Sequence, residues 1–353
     1  MTQGINADAV TEWMLANVDG LVGPLSFDLI SGGRSNLTYG VTDATGRKVV
    51  LRRPPTSHVL ATAHDMSREY KMISALRDTP VPVAPALAFC ADESVNDRPF
   101  YIMGFVDGHV LRDASQTEAA LDETGRKMAG EQLADVLAAI HAVDVDAVGL
   151  GDFARRDGYV ERQLRRWHGQ FGTSQEQARE IGVYRPVPVV DEVHKLLLER
   201  LPAQQGTSIV HGDYRLDNTI MSSDGRIMAV LDWELSTLGD PLADVGTLLA
   251  YWAEDPGERK PSPAVTMAQS AATGLPGFPS RSEVADRYAA SSGRDVTDVN
   301  YYLAFAFWKL ACILEGVFVR YAAGSMGTAA SDLDLLGAGV EDRATRALEA
   351  LQG

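Results

Sequence analysis

Cysteine is nearly absent from this chain: Cys90 and Cys312 are the two in 353 residues, far apart and each among apolar neighbours. That excludes a disulfide framework and a thiolate metal cluster, and buried reduced thiols are expected. Basic residues are scarce too, 32 Lys and Arg against 48 Asp and Glu, a net charge of −16. A nucleic-acid partner is therefore not expected, because phosphate backbones demand a basic surface. No apolar run is long and uninterrupted. The longest apolar helix candidate, Tyr301–Arg320, carries Lys309, Glu315 and Arg320, so it reads as a buried core helix and not as a bilayer span. The N-terminus has no basic segment leading into an apolar run, so no secretory leader, no membrane partner and a cytoplasmic location are expected. Repeats, heptads and low-complexity tracts are missing, and the seven histidines show no zinc-ligand spacing.

What is present begins with two regimes of patterning. Residues 24–53 read as three short strands, Phe27–Ile30, Tyr39–Thr42 and Lys48–Arg52, separated by turns at Ser31-Gly-Gly-Arg-Ser-Asn and Asp43-Ala-Thr-Gly. His64–Leu76 has helical spacing, and Phe100–Phe105 is a further strand in what would be a five-stranded sheet with one helix. Beyond Asp107 the pattern is helical: a helix ending near His141, then 159–169, 190–201, 240–252, 283–291, 300–321 and 330–351, with a Pro/Gly/Ser-rich loop at 254–279. The expected fold is α+β and bilobal, with residues 1–106 as a small sheet lobe and 107–353 as a larger helical lobe.

The chemistry concentrates in Ile209-Val-His-Gly-Asp-Tyr-Arg-Leu-Asp-Asn218 and Val230-Leu-Asp-Trp-Glu234. Asp213 and Asn218 lie five residues apart after one apolar run, and Asp232 follows a second. An acid, an amide and another acid at strand ends suit phosphoryl transfer from a metal–nucleotide complex: Asp213 receives or orients the proton of an attacking hydroxyl, and Asn218 and Asp232 hold metal. Oxygen-only ligands point to Mg2+ with ATP. Taken singly, Asp213 would be an ordinary turn residue after a glycine; its company is what carries the reading.

His-Gly-Asp-x-x-x-x-Asn followed by Asp-Trp resembles the catalytic signature of the aminoglycoside phosphotransferase and choline kinase superfamily, small-molecule kinases with a protein-kinase-like fold. The stretch Leu231–Gly246 looks closest to a subgroup found alone in bacteria or fused to acyl-CoA dehydrogenases. The resemblance covers Ser31 to about Arg320. It implies that Gly32 and Gly33, with Ser35, cover the nucleotide phosphates, although a Gly-Gly pair is equally an ordinary hairpin turn. Met103, Gly104 and Val106 would form the linker whose backbone meets the adenine edge. His211 would be a buried polar prop, Asp217 structural, and Asp244 a buried structural acid. The family's phosphate-pairing lysine is replaced by Arg52, with Glu69 as its natural ion-pair partner; a guanidinium can grip phosphates, so the change is compatible with activity.

The acceptor is expected to be a small-molecule hydroxyl. Tyr251, Trp252, Trp308 and Glu315 could face it, though helical aromatics are more often core. Asp255 and Glu258 are acidic candidates in the loop, but no dense cluster suited to a polyamine is recognisable; the subgroup resemblance implies instead a hydroxyl-bearing metabolite such as a hydroxyacyl-CoA. Arg155, Arg156, Arg162, Arg165 and Arg166 could supply a basic patch or a solvated helix face. The alternative reading is a pseudokinase, or a nucleotide-binding partner of fatty-acid oxidation enzymes without turnover.

Overall fold

The computed structural model describes residues 3–32, 36–56, 65–253, 268–324 and 333–353. Helix α1 (Ala7–Asn17) precedes three strands, β1 (Ser26–Gly32), β2 (Leu37–Thr42) and β3 (Lys48–Arg53), then helix α2 (Met66–Ala75). Strand β4 (Ala86–Cys90), the short helix α3 (Glu93–Asn96) and β5 (Phe100–Gly104) complete this part. The sheet order is β1-β2-β3-β5-β4 with every neighbouring pair antiparallel. Its inner face buries Leu37, Tyr39, Val41, Val49, Leu51, Phe100 and Ile102 against α1, and each such side chain contributes roughly 1.5–3 kcal/mol by leaving water. The five-stranded sheet follows expectation, but β4 and α1 carried no clear signal. Ala86–Cys90 is one short, mixed run entered from a proline-rich segment, and α1 presents few buried side chains, Val10 and Met14.

Helix α2 starts at an Asp65 cap, whose carboxylate accepts the Ser67 N–H at 2.9 Å. The cap fixes the helix phase so that Met66, Glu69, Met72 and Ile73 share the buried face. Met66, Met72, Ile73 and Leu76 belong to the same apolar cluster as the helical lobe. Helix α2 is thus a strut between the sheet and the rest of the molecule.

The remaining chain is mainly helical: α4 (Ala114–Ala120), α5 (Glu123–Ala142), α6 (Tyr159–Glu180) and α7 (Pro188–Glu199) come first. Two antiparallel pairs follow, β6 (Ser208–Val210) with β9 (Thr237–Gly239), and between them in sequence the hairpin of β7 (Thr219–Met221) with β8 (Ile227–Val230). Helices α8 (Leu242–Ala250), α9 (Ala268–Thr273), α10 (Arg281–Ser292), α11 (Val299–Ala322) and α12 (Leu333–Ala350) close the fold. Helix α6 runs eleven residues past the expected end at 169, because Phe171, Gln175 and Ala178 continue its buried face. Of the expected loop 254–279, residues 268–273 are helical, and 254–267 lie outside the described residues. Among the described residues α11 is the one helix long and apolar enough to cross a membrane. Most of it is buried inside the protein, with Tyr302, Phe305, Trp308 and Cys312 in the core.

Candidate active site

The catalytic-loop segment starts where β6 ends. Gly212 takes φ +85°, and a Cβ there would come within 2.9 Å of the Leu235 carbonyl oxygen, so only glycine fits. Its turn is clamped by Asp244 on α8, a fully buried carboxylate that accepts the backbone N–H of His211 at 2.6 Å and of Gly212 at 2.8 Å. Burial works against the Asp244 charge, but hydrogen bonding from His141, nearby histidines and the Gly212 N–H overcome it and hold the carboxyl below its ordinary range. His211 props the other side. Its Nε2 lies 2.8 Å from the Leu231 carbonyl and its Nδ1 faces the Asp213 N–H at 3.3 Å, which assigns the proton to Nε2.

Asp213 and Asn218 meet directly. The Asn218 amide nitrogen donates to the Asp213 carbonyl (2.8 Å) and to Asp213 Oδ2 (3.0 Å), so its amide oxygen is the atom left to ligate. Burial pushes the Asp213 carboxyl up, while Arg215, His211 and Lys309 push it down; the net direction is up. Arg215 Nε sits 3.2 Å from Asp213 Oδ2 and 3.3 Å from Asp217 Oδ1, with its guanidinium over the Tyr251 ring.

Asp232 is delivered next to Asn218 by the β7–β8 pair, whose ladder ends with the Leu231 N–H on the Asn218 carbonyl at 2.8 Å. Asp232 itself lies in the left-handed region (φ +61°), an uncommon conformation for a residue with a Cβ and one that clusters at functional sites. Its carboxylate pairs with the Arg52 guanidinium. Arg52 Nε pairs with Glu69 at 2.9 Å, and Nη1 donates to Thr38 Oγ1 at 3.3 Å. Glu69 is 2 % exposed; burial raises its pKa and Arg52 lowers it, with a net rise, and the Tyr101 hydroxyl hydrogen-bonds it. Glu234 completes the acidic set. It accepts from the Asn36 amide at 2.9 Å, and burial with the neighbouring Asp232 charge pushes it up to about 8.

Five expected site residues, Asp213, Asn218, Asp232, Arg52 and Glu69, therefore gather where the sheet meets the helical lobe. Gly32 ends β1 opposite Leu37, while Gly33 and Ser35 lie outside the described residues, as do Asp255 and Glu258. Met103 and Gly104 close β5; the Gly104 N–H is bonded to the Pro85 carbonyl at 2.8 Å. Of the acceptor-side candidates, Tyr251 is at the site, whereas Trp252 and Trp308 are core residues whose indole N–H groups bond the Pro279 and Val190 carbonyls. Glu315 is buried in a structural network with Gln175 and Arg185. Of the arginine run, Arg156 pairs with Asp146 and Arg165 with Glu161, while Arg162 bonds the Arg155 carbonyl. Asn36, Thr38, Tyr101, Arg215, Glu234 and Lys309 join the site without having been singled out. Arg215 and Glu234 lie inside the two motifs and were legible there; the others act through tertiary contact and left no local sign.

A small antiparallel sheet over a helical lobe, with acid, amide and acid between them, defines the kinase-like small-molecule phosphotransferases. The chain belongs to the phosphotransferase enzyme family (APH), whose profile matches residues 26–283. Acyl-CoA dehydrogenase family member 10 of Mus musculus is 34% identical over 87% of this chain, and family member 11 of Gallus gallus is 33% identical over 88%. The chain spans 28% and 38% of those two relatives' lengths. Among solved structures, a candidate aminoglycoside phosphotransferase of Ralstonia eutropha superimposes with a TM-score of 0.81 at 34% identity, covering 98% of both chains. Spectinomycin phosphotransferase APH(9)-Ia, solved with ADP and spectinomycin, shares the fold at a TM-score of 0.61 and 11% identity, covering 99% of this chain and 100% of its own.

Proposed function

We propose that this chain transfers the γ-phosphate of ATP, with Mg2+, to a hydroxyl of a small-molecule metabolite. The observation that carries the reading is the convergence of Asp213, Asn218 and Asp232 with the Arg52–Glu69 pair where the sheet meets the helical lobe. Asp213 orients the acceptor hydroxyl and takes its proton. As the acceptor oxygen bonds to the γ-phosphorus, the bond to the β–γ bridging oxygen breaks and ADP leaves. The donor set fits Mg2+: the Asp232 carboxylate and the Asn218 amide oxygen are hard ligands, and Glu234 stands beside them. When bound, the ion neutralises charge across the phosphates. Arg52, which also carries a fixed charge, would shift from Asp232 toward the phosphates while Glu69 keeps it aimed.

The relatives named as acyl-CoA dehydrogenase family members favour a hydroxyacyl-CoA or kindred metabolite over an antibiotic as acceptor. The experiment is ADP formation from ATP and Mg2+ against aminoglycosides, choline-like amines, sugars and hydroxyacyl-CoAs. A phosphorylated product that disappears with Asp213→Ala supports the reading. Failure to bind Mg–ATP at all would sink it.

A further inference from the structure

Asn36 joins the two lobes at the acids that would hold metal. It stands on the sheet side, immediately before β2, and is 3 % exposed. Its amide nitrogen donates to Glu234 Oε2 at 2.9 Å, across 198 residues of chain. Its amide oxygen is buried and has no hydrogen-bond partner among the described residues. A buried amide oxygen left unpaired is costly, and such groups call for a partner. The backbone of Glu234 is already fixed. It lies in the short turn Trp233–Leu235, where the Trp233 side chain is core and the Trp233 carbonyl accepts the Ser236 N–H at 3.0 Å and its hydroxyl at 2.6 Å. The Glu234 side chain is under tension from its company. Asp232, Glu69 and Asp213 face it with like charge, and the Arg52 guanidinium draws it the other way. A carboxylate so placed turns away from its neighbours unless a neutral donor holds it.

We propose that Asn36 is a positioning residue for the metal: its amide nitrogen holds the Glu234 carboxylate beside Asp232, and its amide oxygen accepts a hydrogen bond from the water shell of the cation. This rests on the phosphotransferase reading and deepens it, adding a residue of the sheet lobe to a metal site whose other members, Asn218 and Asp232, come from the helical lobe. Mg2+ keeps several waters when it binds a protein, and those waters carry the donors that the Asn36 oxygen lacks. Side chains that hold a metal's ligands in place govern affinity for the ion nearly as strongly as the ligands do. Affinity for Mg2+ therefore depends on a contact between the lobes, and the turn before β2 and the metal acids are held as one unit.

The test follows binding of a fluorescent ADP analogue to the full chain, first in EDTA and then as Mg2+ is titrated in, with melting curves to confirm that each variant is folded. Asn36→Ala should raise the half-saturating Mg2+ concentration by roughly tenfold or more, while affinity in EDTA stays close to that of the parent. Asn36→Gln keeps the amide on a longer stem and should fall between the two. In a Glu234→Ala background the carboxylate to be positioned is gone, so Asn36→Ala should add about threefold at most. An unchanged Mg2+ dependence in Asn36→Ala, an equal loss of affinity in EDTA, or the full effect again in the Glu234→Ala background overturns the inference and leaves the phosphotransferase standing. A parent protein that binds no nucleotide with Mg2+ overturns the broader reading, and this one with it.

Discussion

The Arg52 guanidinium forms an ion pair with Asp232, tying strand β3 to the turn that follows β8. The same side chain neutralises Glu69, which is 2 % exposed. Removing it has two separable consequences. Arg52→Met strands a buried carboxylate and is expected to cost about 3–5 kcal/mol of stability. Adding Glu69→Gln removes that carboxylate and should restore most of the stability while nucleotide affinity stays low, because no cation meets the phosphates. Thermal unfolding and a fluorescent-nucleotide titration of the single and double variants check this. A double variant that binds nucleotide like the parent would make Arg52 a brace and nothing more.

The two loop acids should fail differently. Asp213→Ala removes the proton acceptor and is expected to slow transfer by about 10²–10⁴, while leaving Mg–ATP binding largely intact. Asp232→Ala should abolish the Mg2+-dependent part of nucleotide binding. Paired measurements of single-turnover transfer and nucleotide affinity with and without Mg2+ separate them. Near-full turnover in Asp213→Ala would remove it from the chemistry.

Much of this site was readable because its parts are local in sequence. Asp213 and Asn218 share one loop, and apolar runs on both sides announce the strands that hold it. Arg52 and Glu69 were readable as a strand end and a helix face once Asp213 and Asp232 suggested a reason for the pair. What stayed hidden is tertiary. Tyr101 reaches from β5 to Glu69 on α2, and Asn36 reaches Glu234 from the other lobe; neither contact has a periodicity. Strand β4 was too short and too mixed in composition to stand out from the loops around it. Trp308 and Lys309 are neighbours on α11, yet one is core and the other points at the catalytic loop, a difference of helical phase that only the packing of α6, α7 and α11 decides.

The clamp on the catalytic loop should show in the pH dependence of stability. His141 is buried, with Nδ1 2.7 Å from the Tyr288 hydroxyl and Nε2 3.4 Å from Asp244. Burial lowers its pKa below the ordinary 6.5, outweighing the pull of Asp244. A histidine depressed in the folded state binds fewer protons there than when unfolded, so its stabilisation is complete above the ordinary value and declines as pH falls below it. Asp244, also depressed, contributes in the same sense at lower pH, below its ordinary 3.8. Denaturant midpoints should therefore drop on acidification from neutrality, first through the histidine range. His141→Gln is expected to be less stable at neutral pH and to flatten that first decline. An unchanged pH profile in the variant would assign the sensitivity elsewhere.

Gly212 is where the fold and the chemistry share a single backbone unit. Its N–H is held by Asp244 and its carbonyl by Lys309, and the next residue is Asp213. With both polar groups fixed at φ +85° and the Leu235 carbonyl closing the space a Cβ needs, the turn has no slack to share. Gly212→Ala is expected to cost about 1–3 kcal/mol. Relief of the clash would move the loop away from Leu235 and shift Asp213 off the acceptor hydroxyl. A displacement of that kind weakens transfer more than binding, so kcat should fall while KM and nucleotide affinity change little. Steady-state kinetics beside a melting curve tests this. A variant that is destabilised yet keeps its kcat would show that Asp213 holds its place without the clamp.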